Sequence, residues 1–173
     1  MVENLIYTFE TDRLRLRPFN LNDSLFIIQL LNSPGWLEFI GDRNVKTEEQ
    51  AKNYLIKGPI LSYRQNGFGL SMVELKTDSI PIGMCGILKR DSLEHPDIGF
   101  AFLPEFTGQG YGYEIAKATL TYAGDKLKLP VIWAITSPKN KSAIRLLEKI
   151  GLQYNKNFSF INDPEELMLF INA

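Results

Sequence analysis

The sequence is poor in the residues that build covalent or metal-bound frameworks. Its 173 residues include one cysteine, Cys85, and one histidine, His95. A single cysteine excludes an intrachain disulfide, and no set of His, Cys and carboxylate residues has the spacing of metal ligands. We therefore expect no metal site. Because residues 82–87 are mostly apolar, we interpret Cys85 as a reduced, buried thiol.

An excess of one charge and long apolar runs are also missing. Lys and Arg number 19 and Asp and Glu number 20, for a net charge of -1. This balance provides no electrostatic footprint for nucleic acid or an anionic membrane. No apolar run approaches the roughly 18 residues of a membrane span, and residues 1–17 lack the pattern of a secretory signal. We expect a cytoplasmic protein that binds neither nucleic acid nor a membrane.

The residues that are present predict one folded domain over residues 1–173. Hydrophobic residues make up 45% of the chain and aromatic residues 12%, a composition typical of a globular domain. The length suits one domain, and no repeat, linker or low-complexity tract divides it.

Apolar periodicity predicts an α+β sheet domain. Strict alternation at 13–17 predicts a strand that Pro18 stops. The first helix has Asn22 or Asp23 as its cap and ends near 33–35. A capping box at Thr47 opens the second, which residues 58–59 break or kink. Further predicted elements are strands 68–75, 82–89 and 98–103, helix 113–127, strand 131–136, helix 142–150 and strands 154–161 and 167–171. The apolar last strand suits a core edge or a dimer contact.

A glycine-rich segment before the longest helix carries the strongest chemical signal. Gly108, Gly110 and Gly112 alternate between a predicted strand and that helix. Such glycines let the backbone approach a ligand, and amides at a helix start favour a phosphate or pyrophosphate. The alternative is a tight turn without a ligand. A Walker A loop is excluded because no lysine follows Gly112, and Tyr113 breaks a dinucleotide fingerprint.

Four segments, in order along nearly the whole chain, resemble the GNAT superfamily of acyl-CoA-dependent N-acetyltransferases. The similarity is greatest to the branch that acetylates ribosomal-protein N-termini. The segments are 10–18, 97–100 with 104–106, 108–114, and 140 with 142–152. The resemblance implies a single-domain GNAT fold, in which helices flank a central mixed, mostly antiparallel twisted sheet. It also implies acetyl-CoA as the co-substrate.

The resemblance further implies which residues bind acetyl-CoA. Backbone amides would hold the pyrophosphate, and these belong to Thr107, Gly108, Gln109, Gly110, Tyr111 and Gly112. The pantetheine arm would lie like an added strand along the backbone of Phe100, Ala101 and Phe102. Asn140 would contact the pantetheine or the acetyl group, or it would serve as a helix cap, or both.

Two residues are implied for the chemistry itself. Ser142 would orient the thioester or the thiolate, and the alternative is an ordinary hydroxyl at a helix start. Asp97 would act as the base, directly or through a water, and the alternative is a solvated carboxylate at a strand end. His95, in what resembles an exposed turn, is a weaker candidate for the base, and Glu38 and Glu105 are further carboxylates.

One departure from the family pattern keeps a second function open. The tyrosine that many GNAT enzymes use to protonate the departing thiolate falls on Leu147. The predicted function is direct acetyl transfer to a primary amine in a ternary complex, with a peptide N-terminus or a small amine as the acceptor. The alternative is a non-catalytic domain that binds or senses acyl-CoA. Trp36, Phe39, Tyr54 and Tyr63 are expected in the core or around the acceptor.

Overall fold

A computed structural model describes residues 8–172 of the chain. Residues 1–7 and residue 173 lie outside the described residues. The segment 1–17, which lacks the pattern of a secretory signal, is therefore described only from residue 8 onward. The strands are β1 (Phe9–Glu10), β2 (Leu14–Pro18), β3 (Leu70–Leu75), β4 (Pro81–Leu88), β5 (Asp97–Phe102), β6 (Trp133–Thr136), β7 (Leu152–Phe158) and β8 (Leu167–Asn172). They form one sheet in the order β1-β2-β3-β4-β5-β6-β8-β7. Neighbours are antiparallel except β5 and β6, which confirms the mixed, mostly antiparallel sheet.

Helices cover both faces of the sheet. They are α1 (Ser24–Leu31), α2 (Pro34–Phe39), α3 (Glu48–Leu55), α4 (Leu61–Asn66), α5 (Tyr111–Asp125) and α6 (Lys141–Lys149). Strand side chains alternate between two apolar cores. Val73 and Cys85 lie in the core beneath α5 and α6, whereas Met72 and Met84 lie in the core beneath α1 and α3. Within residues 8–172, no helix is both long and apolar enough to cross a membrane.

The structure corrects the predicted bounds of the first helix. Asn20 caps a short 3-10 turn at 21–23, and its side chain and that of Asp23 form a reciprocal capping box. Asn22 lies inside this turn, and the Asp23 side chain does not cap α1. Pro34 does not end a helix either. It opens α2, because the missing N–H of proline costs nothing in the first turn.

The second helical segment and the last strand also differ from expectation. The capping box of Thr47 and Gln50 is confirmed at the start of α3. A π turn at Ile56–Ile60 accommodates Pro59, so the segment runs on into α4 instead of breaking. β8 pairs with β6 on one side and β7 on the other, so it is an interior strand and offers no free edge.

A buried ionic cluster ties β2 to the turn before α1 and to β3. Arg17 binds Asp23 through two nitrogens at 3.0 and 2.9 Å, and its Nε lies 3.2 Å from Glu74 Oε2. All three residues are buried. Burial alone would lower the pKa of Arg17, but the two carboxylates outweigh it and raise that pKa. The guanidinium therefore remains charged and offsets one of the two negative charges that are buried in this cluster.

Replacing Arg17 by methionine is expected to destabilise the fold by about 3–5 kcal/mol, since Asp23 and Glu74 would lose a buried partner. Urea unfolding measures the loss. The matched control is Arg15→Met on the same strand, where a partly exposed pair with Glu10 is worth about 0.2–1 kcal/mol. Equal losses in the two variants would contradict the role given to the cluster.

Candidate active site

β5 and β6 lie side by side but pair at a single position. Asp97 is opposite Trp133, and the Trp133 N–H donates to the Pro96 carbonyl at 2.8 Å. No further rung joins the two strands, although β5 continues to Phe102 and β6 to Thr136. The strands therefore part from this point, and a gap opens within the sheet.

The backbone of β5 presents a strand edge to this gap. The Leu103 N–H donates to the Ile82 carbonyl of β4 at 2.9 Å, and the β4–β5 register is regular. Backbone groups alternate in direction along a strand. Those of Ala101 are therefore directed to β4, whereas those of Phe100 and Phe102 face the gap. The Ala101 side chain lines the gap instead.

The glycine-rich loop ends in a cluster of free amides. Gly108 and Gly110 have φ values of +74° and +84°, which a side chain would strain. The loop turns into α5 at Tyr111, and within residues 8–172 no acceptor takes the N–H groups of residues 108–113. These donors lie at the positive end of a 15-residue helix. The loop therefore has the donors and the dipole that suit an anion.

Residues of the first hairpin hold the loop in place. Glu114 in the first turn of α5 accepts bonds from the Thr11 hydroxyl at 2.6 Å and from Arg13 Nε at 2.7 Å. Arg13 also donates to the Gln109 carbonyl at 3.1 Å and lies 4.3 Å from the Tyr111 ring centroid. Burial would raise the pKa of Glu114, but these bonds outweigh it and lower that pKa. The ionised carboxylate thus fixes the loop.

A groove of about 470 Å³ runs from this loop to the gap. It collects most of the residues predicted to bind acetyl-CoA or act on it: Phe100, Ala101, Phe102, Thr107, Gly108, Gly110, Gly112, Asn140 and Ser142. Gln109 and Tyr111 do not line it. The Gln109 amide donates to the Glu105 carbonyl at 2.8 Å, and Tyr111 packs against Arg13. The side chains of these two predicted residues are therefore engaged outside the groove.

The outer end of the groove is rich in cations. Tyr113, Arg145 and Lys149 line it. Lys149 Nζ lies 4.4 Å from the Tyr113 ring centroid, and Lys117 Nζ donates to the Tyr113 hydroxyl at 3.0 Å. That bond from Lys117 lowers the pKa of Tyr113. The arrangement places an aromatic face and positive charge beside the anion-binding loop.

Asn140 and Ser142 begin α6 at the inner end of the groove. Asn140 Oδ1 accepts from the Ala143 N–H at 3.1 Å, which confirms the helix cap. Its amide Nδ2 donates to no group in the described part of the chain, and Asn140 is among the residues that line the groove. Ser142 is exposed and lines the groove. Leu147 is 1% exposed and packs in the core beneath α5.

A second cavity, of about 680 Å³, meets this groove at the gap. The two share Trp36, Phe39, Ile40, Phe100, Ala101, Asn140 and Ala143. We call this set the junction. A molecule in the groove and a molecule in the second cavity can meet there. We call the second cavity the acceptor side, because a second substrate would enter through it.

Asp97 lies on the acceptor side and is not solvated. It is 1% exposed, and Arg90 Nε binds its two oxygens at 3.0 and 3.2 Å. The interpretation as a solvated strand-end carboxylate is therefore wrong. Burial raises the pKa of Asp97, against the opposing charge of Arg90. A buried carboxylate with a raised pKa at a cavity wall has the properties of a proton acceptor.

The aromatic residues expected near the acceptor divide into two groups. Trp36, Phe39 and Tyr54 line the second cavity. Trp36 is 6% exposed, and its indole N–H is the one buried side-chain donor in the described part of the chain that lacks a partner. Tyr63 is structural instead, since its hydroxyl accepts from the Phe19 N–H and donates to the Leu70 carbonyl.

The other candidate bases lie away from the junction. His95 packs edge-on against Trp133 with 5.0 Å between ring centroids. Glu38 and Glu105 are exposed, and neither lines the groove or the second cavity. Within residues 8–172, no group of three or more His, Cys, Asp or Glu side chains could hold a metal ion.

Comparison with known proteins identifies the family. The profile described as Acetyltransferase (GNAT) domain matches residues 13–153. The chain belongs to the GNAT acetyltransferase family. The Bacillus subtilis (strain 168) protein YkkB is 30% identical over 159 residues, covering 89% of this chain and 90% of that protein. The N-acetyltransferase YnaD of the same organism is 27% identical over 83% of this chain and 81% of that protein.

Solved structures share the GNAT fold over almost the whole chain. The acetyltransferase of Agrobacterium tumefaciens str. C58 has a TM-score of 0.80 at 24% identity, covering 99% and 98% of the two chains. The ribosomal-protein-S5-alanine acetyltransferase of Vibrio fischeri has a TM-score of 0.79 at 17% identity, covering 97% and 96%. A third structure is the microcin C7 self immunity acetyltransferase MccE in complex with acetyl-CoA and AMP. It has a TM-score of 0.78 at 12% identity, covering 94% and 93% of the two chains.

Sequence reasoning missed several residues of this GNAT site. Arg13, in the turn just before β2, binds Glu114 at a separation of 101 residues, and only the alternation of 13–17 marked this segment. Arg90 pairs with Asp97, and Trp36 lines the junction with an indole N–H that has no partner in the described part of the chain. The contact of Arg13 leaves no local pattern because it joins elements that are distant along the chain, and the pairing of Arg90 with Asp97 depends on how the segment between β4 and β5 folds back.

Cys85 should not react in the native state, which makes a thiol-release assay usable for this protein. Burial raises the pKa of its thiol to about 12, while a contact with the Thr119 hydroxyl opposes that rise. At pH 8 the thiol is therefore protonated and shielded. We expect Ellman's reagent to titrate no thiol in the folded protein and one after denaturation in guanidinium. Rapid native reaction would contradict this assignment.

Proposed function

We propose that the protein is an N-acetyltransferase that moves an acetyl group from acetyl-CoA to a primary amine by direct transfer in a ternary complex. The observation that carries the proposal is the junction that the groove and the second cavity share at a gap in the sheet. A thioester in the groove and an amine in the second cavity can come into contact only there.

The groove fits acetyl-CoA feature by feature. Free amides at 108–113 and the positive end of α5 suit the pyrophosphate. The edge that Phe100 and Phe102 present suits the two amides of pantetheine, which would bind as an added strand. Tyr113 and Lys149 suit the adenine and the 3′-phosphate. The Asn140 amide suits the pantetheine or acetyl oxygen.

The transfer needs positioning and one proton acceptor. The amine lone pair attacks the thioester carbon, a C–N bond forms, and the C–S bond breaks with its electron pair leaving on sulfur. Positioning can supply about 7–11 kcal/mol of the barrier. Asp97 takes the proton that nitrogen loses, directly or through a water. The Ser142 hydroxyl orients the thioester and donates a hydrogen bond to the departing thiolate. Because Leu147 has no proton to give, the thiolate takes its proton from water.

Asp97 and Ser142 are the two groups proposed to assist the transfer, and so small a set suits an acceptor amine that loses its proton easily. At pH 7 an α-amino group costs roughly 1 kcal/mol to deprotonate, whereas a lysine side chain costs roughly 4.6 kcal/mol. The buried carboxylate at the cavity wall, Asp97, is already paired with Arg90. A peptide or protein N-terminus or a small amine of low pKa is therefore the proposed acceptor class.

Asp97→Asn is expected to lower kcat/KM by about 100-fold or more, the usual worth of a positioned base. Activity of the parent should fall as the pH drops through the pKa of Asp97. Because that pKa is raised, this decline lies above the ordinary value of 3.8. Release of free CoA thiol from acetyl-CoA with an alanyl peptide measures both. The exposed Glu105→Gln serves as control, and an Asp97→Asn variant with full activity would exclude the base role.

Gly110→Ala is expected to weaken acetyl-CoA binding at least tenfold, because Gly110 has φ +84° and an added Cβ would meet Arg13 at 3.3 Å. Calorimetric titration with CoA measures the change. Gly124→Ala in the same helix is the matched control, since nothing lies within 4 Å of its added Cβ. That variant should bind CoA normally. Equal affinities of the two variants would contradict the loop assignment.

The second candidate function is a domain that binds acyl-CoA without turnover. The buried Leu147 favours it, because the position of the usual proton donor carries an inert side chain. The two functions differ in one readout. An enzyme releases CoA thiol when a suitable amine is added, whereas a sensor gains thermal stability from acetyl-CoA and releases none.

A further inference from the structure

A third cavity, on the acceptor side, is lined by cations and by no carboxylate. It encloses about 660 Å³ between α3, the π turn, α4 and the end of β4. Its charged lining residues are Arg43, Lys57 and Lys89. Most of its other polar lining consists of amides, namely Asn44, Gln50, Asn53, Gln65 and Asn66. Because the whole chain has a net charge of -1, this positive lining is a local feature.

The three cations have no ionic partner of their own. In the part of the chain that the structure describes, none of them forms an ion pair or a side-chain hydrogen bond. Arg90 nearby differs, since Asp97 neutralises it. Burial raises the pKa of Tyr54, and the charges of Arg43 and Arg90 oppose that rise. The cavity therefore keeps a positive potential at its boundary with the acceptor side.

This cationic cavity is continuous with the acceptor cavity. The two share Arg43, Tyr54, Leu70 and Leu88. The acceptor cavity also has carboxylates on its lining, with Asp163 and Glu165 on the loop before β8. A molecule that spans both cavities meets negative groups at one end and only positive groups at the other.

We propose that the acceptor is an amine that also carries an anionic group, a carboxylate or a phosphate, which binds among Arg43, Lys57 and Lys89. The proposal rests on the proposed function and names the substrate class for the same site. The guanidinium of Arg43 can form two parallel bonds to either anion, and the lysines add point charges. A polyamine would place a second cation among three others and would be rejected.

A peptide series that differs only in side-chain charge tests the proposal. The peptides are Ala-X-X-Phe amides, with X as aspartate, phosphoserine, asparagine or lysine. CoA thiol release gives kcat/KM for each peptide with three proteins. These are the parent, the double variant that combines Arg43→Gln and Lys57→Gln, and the control variant Lys126→Gln. Lys126 is an exposed lysine at the end of α5, and its replacement removes a charge remote from the cavity.

We expect kcat/KM to be at least about tenfold higher for one or both anionic peptides than for the lysine peptide, with asparagine in between. The ranking of aspartate against phosphoserine identifies the anion. The preference should vanish in the double variant, persist in Lys126→Gln, and shrink as salt is raised. If the four peptides were acetylated with equal kcat/KM, or the lysine peptide with the highest, the inference would be overturned. The proposed acetyl transfer to an amine would still hold.

A binding measurement keeps the test decisive if no peptide is acetylated. Calorimetric titration of the CoA-saturated protein with the same four peptides requires no chemistry. Tighter binding of the aspartate or phosphoserine peptide in the parent, lost in the double variant, would support the inference although acetyl transfer had failed. Absence of any charge preference in this titration would overturn it.

Discussion

Separation of β5 from β6 beyond the pairing of Asp97 with Trp133 is the constraint on which the site depends. A continuous sheet would satisfy its own backbone groups and would wall one face off from the other. Here the backbone of Phe100 and Phe102 faces a gap, and the groove and the second cavity meet at it. The strand edge that supports a linear ligand and the passage that admits a second molecule thus have the same origin.

The surrounding structure keeps this gap in place with ionic contacts between distant elements. Glu114, Thr11 and Arg13 fix the glycine loop against the first hairpin, so the free amides of 108–113 are held in position before a ligand binds. Arg90 holds Asp97 at the single rung between the strands. Preorganised donors and charges of this kind lose little freedom when a substrate arrives, which is why they contribute more than mobile surface groups.

Electrostatics divides the molecule by function even though its net charge is close to zero. Cations beside Tyr113 lie at the outer end of the groove, and a separate cationic cavity lies beyond the acceptor side. Carboxylates are concentrated where an amine would enter. An even composition therefore argues against a bulk polyanion as partner, but it carries no information on local charge, because residues such as Arg43, Lys57 and Lys89 come from different segments.

The sequence by itself determined the α+β class, most element positions, the glycine loop and the family resemblance, because these depend on local periodicity, turn chemistry and ordered motifs. Tertiary structure decided what those patterns cannot encode. It placed β8 inside the sheet and buried Asp97 against Arg90. It directed the backbone of Ala101 away from the gap, and it gave Tyr63 a structural role through hydrogen bonds to the backbone of Phe19 and Leu70. It also brought Arg13 to the loop and Trp36, whose indole N–H is unpaired, to the junction. The physical reason is that burial, pairing and cavity lining are properties of contacts between residues far apart in the chain, and such contacts exist only once the sheet has assembled.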